Sequence, residues 1–168
     1  MKRSRLAVVL VCLQLLLSGC GRAADSLAEQ VSDARAVALS SHAKFRSMAQ
    51  VLSRSSVTWA NAESVRYRAK NNDYRTDSWK VADLDPALRK EIGEFIAGHH
   101  VIAVFVGERR VNFLMVGQGI SPSGVSVGLI LTMGGESGCT EVVKTVDVGR
   151  RGVQCEDFGS STYFYLQR

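Results

Sequence analysis

The chain has 168 residues and a formal charge of +5, and three of its 21 Lys and Arg stand at positions 2, 3 and 5, ahead of the first acid. Without residues 1–19 it is 149 residues long, with 18 cations against 16 acids. That length is one domain's worth and can bury roughly 70% of its unfolded surface. The near-balanced charge gives no electrostatic case for nucleic acid as a partner.

The first element is an apolar run from Leu6 to Leu17, broken only by Gln14, behind Lys2, Arg3 and Arg5. A bilayer core of ~30 Å needs ~20 helical residues, so the run is too short to span. Its length and basic front fit a secretory h-region. No A-x-A triplet closes it; Leu17-Ser18-Gly19-Cys20 does. This stretch resembles the signal peptide and lipobox of bacterial lipoproteins. The alternatives are a plain secretory leader with a chance cysteine, or a short anchor that stays. The resemblance implies that Cys20 is thioether-linked to diacylglycerol, freed by cleavage on its amino side and acylated there. It implies a membrane partner through the acylated Cys20. Gly21 stands where an Asp holds enteric-type lipoproteins at the inner membrane, which points to the outer membrane, facing the periplasm. Acyl chains anchor through ~0.8 kcal/mol per buried CH₂. The resemblance covers residues 1–21; the rest of the chain is not recognised as a family.

Residues 20–25 form a short tether. Ser26-Leu27-Ala28-Glu29 reads as a capping box. Leu27, Val31, Ala34, Ala38, Ser41, Phe45, Met48 and Leu52 then recur at helical spacing, which predicts one long helix over 26–53. Its stripe is thin, so it serves either as a core face or as a stalk for a partner helix.

Val57–Ala62 is ambiguous between elements. In Ser64–Lys70, Val65, Tyr67 and Ala69 alternate with Arg66, Arg68 and Lys70, which predicts a strand with a basic outer face at a sheet edge. The three cations read as a solvated edge or as a strip for an acidic partner. Asn71–Asp77 is a polar loop, after which Trp79, Val81 and Leu84 re-enter the core. Asp85-Pro86 starts a second helix by a capping carboxylate and a proline at its first position. Leu88, Ile92, Phe95 and Ile96 form its buried face, and Gly98 is placed to stop it.

Val101–Val106, Val111–Val116, Val125–Met133, Thr140–Val148 and Thr162–Gln167 all read as strands, with Val153–Phe158 a weaker sixth. With no helical period between them, the fold class is α+β: an antiparallel sheet of about five to six strands, mainly 101–167, with two helices packed on one face. Residues 26–168 form one domain on this reading.

Cys12 leaves with the leader and Cys20 takes the lipid. Cys139 and Cys155 remain, an even pair in an oxidising compartment, which favours a disulfide. A metal or redox pair is the alternative; redox chemistry prefers C-x-x-C, and two thiols alone rarely hold zinc. One conflict stands. If Gly149–Gly152 is a hairpin tip, Cys155 faces Val146, and Cys139 lies ~23 Å further along the strand. A bridge needs Cα atoms within ~7 Å. Keeping the bridge predicts that Val153–Asp157 turns back towards the Gly134–Gly138 loop.

No catalytic, cofactor-binding or metal-ligating set emerges. Gly124-Val125-Ser126-Val127-Gly128 matches the nucleophile-elbow pattern, but that elbow needs a following helix and a downstream histidine. Gly135-Glu136-Ser137-Gly138 is similar to the serine loop of chymotrypsin-like proteases, with Glu where Asp belongs, in a chain too short for two barrels. Gly117-Gln118-Gly119 starts like a dinucleotide loop, but Pro122 stands at the third glycine. His99 and His100 are the titratable candidates, and as strand neighbours they would point to opposite faces. For partner binding, the candidates are Ser121 and Ser123 in the long Gly117–Gly124 connection and Arg109 and Arg110 at a hairpin tip. Arg150 and Arg151 make a second tip at the other end of the sheet. Together these features favour a tethered, non-enzymatic binding module that captures an envelope protein, as an inhibitor or immunity-type protein does. The alternatives are an envelope-assembly scaffold acting through the Leu27–Leu52 stripe, and a small hydrolase acting through His99 or His100.

Overall fold

A computed structural model describes residues 26–61, 65–67, 80–81, 85–118, 124–134, 138–146 and 152–168. The leader, Cys20, the Asn71–Asp77 loop, Trp79, Leu84, Ser121, Pro122, Ser123, Ser137, Arg150 and Arg151 lie outside them. The chain divides into two compact units, Met1–Asp33 and Ala34–Arg168. The described part of the first is helical, and the Gln30 amide donates to Ser26 Oγ at 3.2 Å. Ser26 is thus inside the helix rather than capping it from the outside.

The long helix is two. Helix α1 covers 26–40, Ser41 is a turn, and α2 covers His42–Arg54. Ser41 N donates to Val37 O at 3.0 Å and Ser41 O accepts from the Lys44 and Phe45 amides, so this residue closes one helix and opens the next. Serines at 40 and 41 favour this, because their hydroxyls compete for backbone groups; Ser40 Oγ donates to Val37 O.

The second unit is built on an eight-stranded sheet. Its strands are β1 (Val57–Asn61), β2 (Val65–Tyr67), β3 (Lys80–Val81), β4 (Ala103–Val106), β5 (Arg110–Gln118), β6 (Val125–Thr132), β7 (Val153–Gly159) and β8 (Thr162–Gln167). They lie in the order β3-β2-β1-β4-β5-β6-β8-β7, and every pairing is antiparallel. Helix α3 (Pro86–Gly98) joins β3 to β4, and α4 (Cys139–Val146) joins β6 to β7. The α+β class and the antiparallel sheet are as the sequence predicts. The ambiguous Val57–Ala62 stretch supplies β1, and the short β2 and β3 extend the sheet beyond the expected six strands. Strand β2 is an inner strand, between β1 and β3, and not the edge expected from its alternating cations.

Helices α2 and α3 cover one face, hereafter the inner face. Phe45 and Phe95 meet Phe113 of β5 with ring centroids 5.1 and 5.6 Å apart, and each other at 5.1 Å. Around this cluster Leu52, Ile92, Ile96, Val104, Val111 and Leu129 are buried. Helix α3 begins as its sequence dictates, with Asp85 accepting from the Ala87 amide at 3.1 Å and proline in the first turn. It ends differently. Gly98 stays helical, His99 caps the helix, and His100 takes the left-handed conformation at φ 53°.

The largest departure from the sequence reading is α4. Thr140–Val148 reads as a strand because it is rich in β-branched residues. Yet Cys139, Val142, Val143 and Val146 also recur at i, i+3, i+4 and i+7, a helical stripe. Glu141 in the first turn and Lys144 in the last suit the helix dipole. Val142 is buried against Ile130, Tyr163 and Tyr165, on the sheet face opposite α2 and α3. The two expected helices share one face, as α2 and α3 do, and α4 adds a third helix on the other.

Helix α4 also resolves the cysteine conflict. Residues 139–146 rise ~1.5 Å each as a helix instead of ~3.3 Å as a strand, and the presumed hairpin does not exist. Strand β7 does not turn back; it pairs along its length with β8. The helix brings Cys139 over β7 instead, and Cys139 and Cys155 are disulfide-bonded with Cα atoms 5.6 Å apart.

Candidate functional site

The outer sheet face is covered unequally. Over β6, β8 and β7 it carries α4. Over β4 and β5 it presents Phe105, 45% exposed, paired across the sheet with Asn112 and with Trp59 of β1. Ile102, 47% exposed, donates its amide to Leu114 O at 2.7 Å. Strand alternation puts Ala103, Phe105, Asn112 and Leu114 on this face, while Val104, Val111 and Phe113 point into the core. Two large apolar side chains about half exposed on a rigid sheet are a departure from the buried norm and mark a contact surface.

The β4–β5 hairpin bounds that surface. Gly107 N donates to Arg110 O at 2.8 Å, closing a short connection in which Glu108 and Arg109 are exposed. Arg110, also exposed, opens β5. The tip is braced, because Met133 N donates to Arg109 O at 2.7 Å. The backbone of the sequence-predicted Arg109 and Arg110 is thus fixed at the tip of the hairpin that carries Phe105.

The histidine candidates are placed apart. The His99 ring stacks on Phe95 at 4.4 Å, and its Nδ1 lies 2.9 Å from Phe95 O, so it packs as a helix cap. His100 is exposed in the following turn. Neither is in a strand, since β4 starts at Ala103. His42, which no motif singles out, is 2.9 Å from Thr162 Oγ1 and ties α2 to β8. Ser126 lies inside β6 and donates to Gln167 Oε1 at 3.0 Å, without the turn a nucleophile elbow requires. Gly128 of the same motif has a packing role. A Cβ there would stand 2.5 Å from Phe113 O and 2.8 Å from the Tyr165 hydroxyl. Tyr165 crosses this glycine and donates to Asn112 Oδ1 at 3.3 Å. Burial raises the Tyr165 pKa above its ordinary value, with the Asn112 bond opposing.

On the inner face, Arg35 of α1 grips Glu156 of β7. Its Nε donates to Glu156 Oε2 at 2.8 Å, and its Nη2 pairs with Oε1. The guanidinium also lies 5.9 Å from the Phe158 ring, which stacks on Phe164 at 5.6 Å. The hydrogen bond from Arg35 holds the Glu156 carboxyl below its ordinary pKa. A depressed carboxylate stabilises the fold above its unfolded-state pKa, and the contribution is lost as pH falls through the folded value. The pair is solvent-exposed, so the effect is small. Glu156→Gln is expected to flatten the acid limb of a Tm-versus-pH curve below the ordinary carboxylate value and to leave its neutral and alkaline parts parallel to the parent. An unchanged acid limb would show that the pair contributes nothing.

Among the described residues, no group of three or more His, Cys, Asp and Glu is placed to hold a metal, and no helix is long and apolar enough to cross a membrane. The geometry defines a disulfide-clasped α+β domain with one half-open sheet face. No protein-family model, curated protein or solved structure matches the chain.

Proposed function

We propose that this protein is a lipid-anchored envelope lipoprotein whose domain is a non-enzymatic binding module for a protein partner. The anchor rests on the Leu17–Cys20 lipobox behind its short apolar run. The binding role rests on one observation: exposed Phe105 on β4 and exposed Ile102 just ahead of it, on the same hairpin as the braced Arg109–Arg110 tip. An aromatic anchor flanked by arginines is the composition enriched in protein interfaces and their hot spots. The arginines favour an acidic rim on the partner.

The test is direct. Intact mass of the membrane-extracted protein is expected to show an acylated Cys20, and mild crosslinking in the envelope a stoichiometric protein partner. Phe105→Ser is expected to weaken that complex by about 2 kcal/mol, near thirtyfold. Arg109→Glu/Arg110→Glu is expected to slow association and reduce its salt dependence. An unlipidated mass overturns the anchor. A partner captured equally by the parent and by Phe105→Ser overturns the surface.

A further inference from the structure

We propose that α4 is a disulfide-latched lid, and that reduction of the Cys139–Cys155 bridge enlarges the contact surface around Phe105. This concerns the regulation of that surface and rests on reading it as a partner-binding face.

The sheet register shows what the lid covers. Phe105 lies opposite Asn112, Asn112 opposite Ile130, and Ile130 opposite Tyr163. In the next row Ala103, Leu114, Gly128 and Tyr165 follow one another in the same way. Directly opposed residues share a face, so Ile130, Tyr163 and Tyr165 continue the Phe105 face across β6 and β8. They are buried, and Val142 of α4 packs with them. Helix α4 thus covers the tyrosine-bearing part of one continuous surface.

The lid is short and conditionally held. Eight residues are too few for a stable isolated helix. Besides the bridge, α4 is held by Val142 and Val146 against that cluster and by Gln167 Nε2, which donates to Val146 O at 3.2 Å. Its valines and threonines also suit an extended strand, so the segment has a second conformation to take once released. The sheet does not depend on the bridge. Strand β7 pairs with β8 along its length, and Arg35 clasps Glu156 from the inner face. Both cysteines are half-buried, and Cys155 is on the edge strand, where a dithiol can approach.

The opening step is thiol–disulfide exchange with an envelope dithiol oxidoreductase. Its thiolate forms a mixed disulfide with one cysteine and expels the other, which takes up a proton. Its second thiol then resolves the mixed disulfide. Two electrons and two protons pass from the dithiol to the Cys139–Cys155 pair, and the reductant leaves as a disulfide.

Hydroxyl-radical footprinting of the full chain in mild detergent tests it, before and after reduction by dithiothreitol and capping of the thiols with N-ethylmaleimide. Labelling of Tyr163 and Val142 is expected to rise about threefold or more, with Phe113 and Leu129 of the inner face unchanged. Cys139→Ser/Cys155→Ser is expected to label like the opened form without reductant, which separates release of the lid from any effect of the caps. The envelope protein that crosslinks to the parent is expected to bind the opened form about tenfold more tightly or better. Unchanged labelling of Tyr163 overturns the lid, as does a matching rise at Phe113 and Leu129, the mark of general unfolding. Equal affinity of the two forms for the partner overturns the regulation. Newly labelled Tyr163 with no partner in either form upholds the lid and counts against the partner-binding reading alone.

Discussion

Gly128→Ala is expected to destabilise the protein by about 3 kcal/mol, at the upper end for overpacking. In a domain of this size that lowers Tm by roughly 10 °C. Gly128 lies on β6 opposite Leu114 of β5 and Tyr165 of β8. An added methyl would be 2.5 Å from the Phe113 carbonyl oxygen, which is backbone and cannot swing away. It would also strike the Tyr165 ring edge at 2.9 Å and displace the hydroxyl from Asn112. Two central strand pairings are disturbed at once. Truncating Tyr165 in the same background is expected to recover only part of the loss, because the carbonyl contact remains. Thermal melts of the parent, the single variants and the double variant decide this. A Gly128→Ala protein melting within about 2 °C of the parent would show that β5 and β6 are not so close at this point.

Removing the disulfide is the second large effect. Cys139 and Cys155 are 16 residues apart, and opening a loop of this size costs about 3 kcal/mol in the chain-entropy model. The structural consequence is local. Helix α4 has eight residues, well below the ~12–15 at which isolated helices become even marginal in water. It is held by the bridge and by Val142 against Ile130, Tyr163 and Tyr165. Cys139→Ser/Cys155→Ser is therefore expected to lose amide protection over 139–146 while β4, β5 and β6 keep theirs. The half of the outer face under α4 then opens, and binding of a hydrophobic dye rises. Hydrogen exchange with and without reductant reads both effects. Unchanged protection of α4 after reduction would show that packing alone holds it.

The two largest misreadings in the sequence have one cause. The stretch 139–146 carries both a strand-like composition and a helical stripe, and local preference cannot choose between them. The choice is made by what the segment lies on: the buried cluster of Ile130, Tyr163 and Tyr165, with Cys155 placed at bonding distance. The long helix fails at Ser41 for a related reason. The i, i+3, i+4 pattern runs through the bend unbroken, and His42 is directed to Thr162, 120 residues later, by a contact no local pattern encodes. The hairpin arginines Arg109 and Arg110 were legible because valines and a glycine bracket them.

By itself, the sequence determined the α+β class, the Asp85-Pro86 helix start, strands β4, β5, β6 and β8, the Cys139–Cys155 pairing and the lipobox expectation. These rest on short-range periodicity, capping chemistry and cysteine count, which neighbouring residues specify. Only the tertiary structure decided that β7 lies outside β8 at the sheet edge, that α4 covers the outer face, and that Phe105 and Ile102 stay exposed. Those outcomes depend on which surfaces remain to be buried once the strands have paired, a balance between residues far apart in the chain.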